Sequence, residues 1–182
     1  MSINIDHPLN YIGMVSVSAV NGKTTFYKYS SHNAGTSALF QGLCNLLAGN
    51  SYSSQKSYMP QFIRLYNKTN SNTSPLSTAV KYNAAIQVKP VTVNNESSYV
   101  TVLHFVVPQN LISREDGKIN YLQLFGENEN GGATDNPLAN FEIEDSAAID
   151  PNTFTNNTQY IVEWSLGFSN SSTNITPTPN IS

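Results

Sequence analysis

The stretch YIGMVSVSAV, residues 11–20, runs into the dipeptide Asn21-Gly22 and then into KTTFYKYS, residues 23–30. In both flanking segments apolar or aromatic residues alternate with polar ones, which is the pattern of a half-buried strand. Asn-Gly between two such segments is the strongest short signal for a β-hairpin, because the central residues of a type I′ turn need positive φ. The stretch therefore predicts an antiparallel hairpin.

Further strand-like segments follow along most of the chain, at residues 61–66, 79–93, 98–107, 120–125, 138–143 and 159–168. Pro90 indicates an edge strand or a break, since proline has no backbone N–H to donate. The polar run at residues 68–75 has no periodicity and predicts a loop. About eight short strands with one helix between them favour an all-β fold, an antiparallel β-sandwich or jelly roll.

The helix is predicted after the hairpin, in the sequence SALFQGLCNLLAG at residues 37–49. Thr36 is placed to cap its start, and Gly49-Asn50 predicts its end. Cys44, the single cysteine, lies in this apolar stretch, so we expect a buried, inert thiol and no intramolecular disulfide. The helix should lie against one end of the sheet through one apolar face, formed by Leu39, Phe40, Leu43, Leu46 and Leu47.

A length of 182 residues suits one domain. We expect the β-sandwich at residues 11–169, an N-terminal arm at residues 1–10 and a C-terminal tail at residues 170–182. The tail, NSSTNITPTPNIS, is rich in Asn, Thr and Pro and has little to bury, so an extended arm or a flexible end is expected there.

The composition is polar but low in charge. Charged residues make up 12%, about half the usual ~25%, while Asn accounts for roughly one residue in eight. The net charge is -3 without a basic patch, which argues against nucleic-acid binding. The first ten residues lack the pattern of a signal peptide, and no apolar run approaches the ~20 residues of a membrane span. A protein made in a cytosol that leaves the cell inside an assembled particle would have these features.

Catalytic and cofactor-binding motifs are missing from the sequence. His7, His32 and His104 have no metal-site spacing, and there is no GxSxG elbow or phosphate-binding loop. Glu142 and Glu144 would share a sheet face, but they alternate with apolar residues as ordinary solvent-facing side chains do. We therefore expect no catalytic residues, no cofactor and no enzymatic activity.

The segment GENENGGATD, residues 126–135, contains the best candidates for a specific ligand. Glu127, Glu129 and Asp135 could offer hard oxygen ligands to Ca²⁺, together with neighbouring asparagines. A long solvated hairpin loop is the favoured interpretation, because carboxylates in such loops usually bind only water. We therefore predict no metal site, with these three residues as the calcium candidates.

Four stretches, read in order, resemble small structural proteins of tailed bacteriophages. In that pattern a hairpin leads to a "GT..LF..L...LAG" helix and a strand with "P.FI.L", and later an "LFG…G..LA" hairpin precedes a closing strand ending "I.W.L.F". The corresponding sequences here are NAGTSALFQGLCNLLAGN (33–50), MPQFIRLYN (59–67), YLQLFGENENGGATDNPLANF (121–141) and QYIVEWSLGFSN (159–170).

The resemblance implies a non-enzymatic virion component: a head fibre, a capsid decoration protein, or a tail or baseplate accessory. Such a protein is made in the host cytoplasm, forms a homo-oligomer, with a trimer favoured, and contacts other capsid, portal or tail proteins. The alternative from the residues themselves is a carbohydrate-binding or host-adhesion module, because ten Tyr, eight Phe and Trp164 could supply stacking platforms for a host-surface glycan. Tyr52 and Tyr58 are the exposed tyrosines expected to test this alternative.

Overall fold

A computed structural model describes residues 10–49, 55–83, 87–93 and 96–169 of the chain. Within these ranges it contains one α-helix, α1 (Ser37–Leu47), and four short 3₁₀ helices, at Lys56–Tyr58, Gln109–Leu111, Asp145–Ala147 and Pro151–Thr153. The strands are β1 (Asn10–Asn21), β2 (Thr24–His32), β3 (Ala34–Gly35), β4 (Phe62–Lys68), β5 (Thr73–Pro75), β6 (Val80–Lys81), β7 (Gln87–Val93), β8 (Glu96–Pro108), β9 (Tyr121–Glu127), β10 (Ala133–Glu142) and β11 (Gln159–Ser169).

These strands form two antiparallel sheets that pack face to face. The first sheet has the order β2-β1-β11-β8-β7. The second has the order β3-β10-β9-β4-β5, and β6 also pairs with β4. The predicted all-β sandwich with one short helix is therefore confirmed. Asn10, assigned to the arm by the sequence, pairs with Ser169 in the first sheet, whereas residues 1–9 and 170–182 lie outside the described ranges.

The opening hairpin forms as predicted, with its turn one residue later than expected. Asn21 still belongs to β1 and pairs with Thr24, so the two loop residues are Gly22 and Lys23. Gly22 has φ 58°, which a residue without a Cβ adopts at no steric cost. An irregularity in the pairing between Ala19 and Val20 accounts for the shift.

The core lies between the two sheets and follows the alternation along each strand. In β11, Tyr160, Val162 and Trp164 are fully buried, and Phe105 of β8 and Leu122 of β9 meet them in one cluster. Because successive side chains point to opposite faces, this alternation places every second residue inside. The end of β8 reads as continuously apolar because some residues on its outer face are apolar as well.

Two predicted segments differ from the structure. The run at residues 68–75, predicted as a loop, contains β5, which pairs with the end of β4. The segment at residues 79–93 divides between the sheets, since β6 pairs with β4 and β7 pairs with β8. Pro90 lies in β7, at the edge of the first sheet, as its missing N–H predicts. Strands β3 and β5 have two and three residues, too few for a readable alternation, which is why the sequence does not predict them.

Helix α1 starts and ends where the sequence predicts, but its start is held differently. Thr36 occupies the N-cap position without a side-chain bond to the helix. Its Oγ1 instead donates to the carbonyl oxygens of Pro137 (2.8 Å) and Leu138 (3.0 Å) in β10. Gly49 follows the helix with φ 81°, which the sequence predicted as its stop. Thr36 therefore attaches the helix to the second sheet.

Candidate functional site

A groove of about 810 Å³ opens at one end of the sandwich. One wall is the inner face of the first sheet, where β1 begins, β11 ends and β8 begins. The opposite wall is formed by α1 and the 3₁₀ helix Lys56–Tyr58, which contact β10 and β9 of the second sheet. At this end two short helices therefore stand where the second sheet would otherwise cover the first.

Two glycines allow the 3₁₀ helix to fit between α1 and the second sheet. Gly42 of α1 is buried, and a Cβ placed there would lie 2.3 Å from the Cβ of Tyr58. On the other side, a Cβ at Gly126 in β9 would lie 2.1 Å from the carbonyl oxygen of Ser57. Both approaches are closer than any side chain permits, so the groove wall depends on these two glycines.

An aromatic cluster of Tyr11, Phe40 and Phe168 includes two residues of the groove lining. The ring of Tyr11 meets that of Phe40 edge-on at a centroid distance of 5.8 Å, and that of Phe168 at 6.1 Å. Phe40 and Phe168 are 6.5 Å apart. These are favourable edge-to-face distances. The cluster joins α1 to the ends of β1 and β11, although the three residues are far apart in the sequence.

A hydrogen-bond network through Asn33 holds the hydroxyl of Tyr11 in place. Its hydroxyl bonds to the side chain of Asn33. In the amide orientation that satisfies both neighbours, the Asn33 oxygen accepts from Trp164 Nε1 (2.9 Å) and from Met14 N (3.1 Å). Burial raises the pKa of Tyr11 well above its ordinary value, so its hydroxyl stays neutral. The groove wall is thus anchored to the buried tryptophan of the core.

The groove lining is neutral throughout the described part of the chain. Sixteen residues contribute to it, and each is apolar, a tyrosine or an uncharged polar residue. Binding there would require no desolvation of a charged side chain, which is the costly step in burying a polar surface. The lining residues are Tyr11, Leu39, Leu43, Leu46, Tyr58, Met59, Pro60, Gln61, Tyr82, Ser98, Tyr99, Thr101, Leu103, Leu166, Gly167 and Phe168.

The face of α1 that was predicted to pack on the sheet is only partly covered. Leu39 and Leu43 are half-buried against the groove. Phe40, Leu46 and Leu47 are exposed by 38%, 41% and 80%. Cys44 is exposed, not buried as predicted, because the residue after Leu43 is turned about 100° away from the groove-facing side of the helix.

In the described part of the chain, the three calcium candidates are not grouped with one another as ligands of one ion. Glu127 is paired with Lys81 (3.0 Å) and Lys56 (3.8 Å), while Glu129 and Asp135 are exposed in and after the turn. Among the described residues, no group of three His, Cys, Asp or Glu side chains is arranged to hold a metal ion. Hydrogen bonding to Lys81 lowers the pKa of the Glu127 carboxyl, with further lowering by charge interaction with Lys81 and Lys56 and by the Gln61 amide.

The side-chain amide of Asn128 holds the turn of this loop. Its Oδ1 accepts from the backbone N–H groups of Asn130 (3.0 Å) and Gly132 (2.9 Å). Its Nδ2 donates to the carbonyl oxygen of Ala133 (3.0 Å). The side-chain oxygen that could have bound a cation is therefore used to hold the turn, as asparagine often does.

The other titratable residues considered from the sequence lie away from the groove. Glu142 is exposed and bonded to Lys68, and Glu144 is exposed. His104 Nδ1 lies 3.1 Å from Asn83 Oδ1 on the outer face of the first sheet. His32 ends β2, and its Nδ1 lies 3.3 Å from the carbonyl oxygen of Gly13. His7 lies outside the described residues.

Comparison of the chain with protein-family models, with curated proteins and with solved structures finds no match. Among the described helices, none is long and apolar enough to cross a membrane. The feature of the molecule that indicates a function is therefore the groove. Sequence reasoning missed it because Tyr11, Tyr99 and Phe168 read as ordinary alternating strand residues. Only Gly42, an unfavourable residue inside a helix, signalled that another segment approaches closely there.

Proposed function

We propose that this chain is a non-enzymatic structural component of a phage virion, a head fibre or capsid decoration protein, which assembles through protein–protein contacts. Tail or baseplate accessory is the alternative position on the particle. The observation that carries the proposal is the apolar surface formed by the groove together with the exposed side of α1. The resemblance of the sequence to phage structural proteins supplies the type of particle.

The shape of this surface supports binding to another protein. Leu46 lines the groove and is exposed by 41%, and Leu47, the next residue along α1, is exposed by 80%. Phe40 extends the same surface from the aromatic cluster. A single exposed leucine needs no explanation, but a contiguous apolar surface beside a neutral groove is typical of the centre of a protein interface.

The low charge of the chain supports the same proposal. A subunit that is surrounded by neighbours must desolvate much of its surface, and unpaired charges there would oppose assembly. Only 12% of the residues are charged. The ion pairs of Glu127 and Glu142 lie outside the groove lining. The groove lining that we assign to contacts thus contains no charged residue.

A carbohydrate-binding module is the second candidate, and the composition of the groove favours it specifically. Tyr58, Tyr82 and Tyr99 lie in the lining, where their rings could stack on sugar faces. Gln61, Ser98 and Thr101 supply neutral hydrogen-bonding groups between them. A glycan array probed with the purified chain tests this candidate: binding that is lost in Tyr58→Ala and Tyr99→Ala would favour it over the assembly function.

Incorporation into particles tests the main proposal. We expect mass spectrometry of purified particles from cells producing the phage to detect the chain in stoichiometric amounts, and immunogold labelling to locate it on the head. The double variant Leu46→Ser/Leu47→Ser should be incorporated at a reduced level. Absence of the wild-type chain from the particles would refute the proposal, and label on the tail alone would move it to the tail or baseplate.

Leu111→Ser is the matched control for that experiment. Leu111 is exposed by 40%, almost the same as Leu46, but it lies in the 3₁₀ helix at the end of the sandwich opposite the groove. If the contact is made by α1 and the groove, Leu111→Ser should be incorporated like the wild type. Equal losses for the two variants would instead indicate a general effect of reduced surface hydrophobicity.

A further inference from the structure

The C-terminal sequence is uncharged and combines proline with isoleucine. Residues 170–182, NSSTNITPTPNIS, lie outside the described part of the chain and have no charged side chain. Their apolar residues are two isoleucines, Ile175 and Ile181, that flank two prolines, Pro177 and Pro179. The described chain ends at Ser169, next to Phe168, which is itself a residue of the groove lining.

We propose that the groove binds residues 175–181 of a second copy of this chain, so that each subunit passes its C-terminal segment to a neighbour. This inference rests on the assembly function proposed above and identifies the partner of the groove. The contact is heterologous, because it joins two different surfaces. A closed ring of subunits, such as a trimer, would satisfy every groove and every segment.

The chemistry of the segment matches that of the groove. Proline fixes φ near −65° and keeps the preceding residue extended, so the sequence Thr-Pro-Thr-Pro favours an extended, polyproline-like backbone. Such segments dock in grooves lined by aromatic rings and lose little conformational entropy on binding. Tyr58, Tyr82 and Tyr99 provide such rings, and the half-buried Leu39 and Leu43 can cover the isoleucines.

The lengths are also compatible with an exchange between subunits. Residues 170–174 can span roughly 17 Å when extended, at about 3.3 Å per residue. The seven residues 175–181 would then cover roughly 22 Å at about 3.1 Å per residue. The segment is therefore long enough to reach the groove of a neighbouring subunit from Ser169, where the described chain ends.

Complementation between two full-length variants tests the proposal. Tail variant Ile175→Asn/Ile181→Asn keeps the groove, and groove variant Leu46→Ser/Tyr99→Ser keeps the tail; both groove positions are substantially exposed. By size-exclusion chromatography with light scattering, we expect the wild type to be an oligomer and each variant a monomer. A 1:1 mixture of the two should form a heterodimer, because one intact tail still meets one intact groove.

A peptide measurement gives an independent readout. The labelled peptide TNITPTPNIS, residues 173–182, should bind the tail variant, and adding Tyr99→Ser should weaken that binding roughly tenfold, as expected for a tyrosine at the centre of a contact. The same peptide with both prolines replaced by serine should bind more weakly. Leu111→Ser in the tail variant should leave the affinity unchanged.

Three outcomes would overturn the inference: an oligomer that survives the tail substitutions, a monomeric wild type, or a peptide that does not bind the tail variant. These results are separable from a failure of the proposed function. Wild-type chain found in particles together with any of them would retain the virion role and reject the tail exchange. Tail-dependent oligomers with no chain in particles would retain the exchange and reject the virion role.

Discussion

The two ends of the first sheet are built from the same strands but differ in how they are covered. In β8, Phe105 is fully buried, whereas Tyr99, six residues earlier on the same face, is 64% exposed. In β11, Tyr160 and Trp164 are fully buried, whereas Phe168 is only half-buried. The alternation of the sequence is the same at both ends. The burial of a strand residue is therefore decided by the layer that lies opposite its strand.

The closed end is sealed by loops that are held with several polar contacts. Tyr160 donates its hydroxyl to Gln109 Oε1 at 2.5 Å, and burial raises the pKa of Tyr160 to about 12, so this donor stays protonated. Arg114 Nη2 donates to the carbonyl oxygen of Phe154 (3.2 Å) and to Asn156 Oδ1 (2.8 Å). At the groove end, α1 contacts the first sheet through Phe40, and the groove lies beside this contact.

Truncating one side chain at each end of the first sheet should produce the largest difference in stability. Phe105→Ala removes a ring from the packed core, and we expect the free energy of unfolding to fall by about 3–5 kcal/mol. Tyr99→Ala removes a mostly exposed ring, so its effect should stay within about 0.5 kcal/mol. Urea denaturation of both variants measures the difference. Similar losses would mean that the groove end is packed as tightly as the closed end.

A methyl group at Gly42 should change the free energy of unfolding by an intermediate amount. The sign of this change should be opposite to the one that helix propensity predicts. Ala for Gly inside a helix normally stabilises by about 1 kcal/mol. Here the added Cβ would meet Tyr58, so we expect Gly42→Ala to lower the free energy of unfolding by about 1–3 kcal/mol. The neighbouring exposed residue supplies the control, since Gln41→Ala should change stability by less than about 0.5 kcal/mol. Stabilisation by Gly42→Ala would show that the helix can move away freely.

The sheets could be predicted from the sequence because their signal is local. The alternation in residues 11–20 and the Asn-Gly pair define the first hairpin before any tertiary contact is known. The same holds for residues 159–168, whose period of two gives β11 directly. The very short strands β3 and β5 could not be predicted. β3 pairs with β10, about a hundred residues later, and β5 has only three residues, too few for a readable alternation.

The groove could not be predicted because it forms where the second sheet does not cover the first, and this depends on the tertiary structure. The apolar face of α1 predicted burial, yet Leu47 has no covering layer in the described structure. Cys44 was placed in the core because its neighbours are apolar, but helical geometry turns it outward. Thr36 was correctly assigned to the N-cap position, whereas its bonds to β10 depend on a strand about a hundred residues later.

The smallest expected effect concerns the ion pairs behind the groove wall. Glu127 joins Lys81 of β6 and Lys56 of the 3₁₀ helix, and these interactions hold its pKa below the ordinary value. A depressed folded-state pKa contributes stability that is present above the unfolded-state pKa and is lost as the pH falls through the folded-state pKa. We therefore expect the wild type to be slightly more stable than Glu127→Gln at pH 7, and the two to converge under acid conditions.

Urea denaturation of both proteins across this pH range, at low and high salt, measures that convergence. Because these side chains are partly exposed, salt should reduce the difference at pH 7. Glu129→Gln is the control: Glu129 is exposed on the same hairpin without an ion pair among the described residues, so its stability should follow the wild type at every pH. A constant gap between wild type and Glu127→Gln down to low pH would mean that the glutamate acts by packing and not by charge.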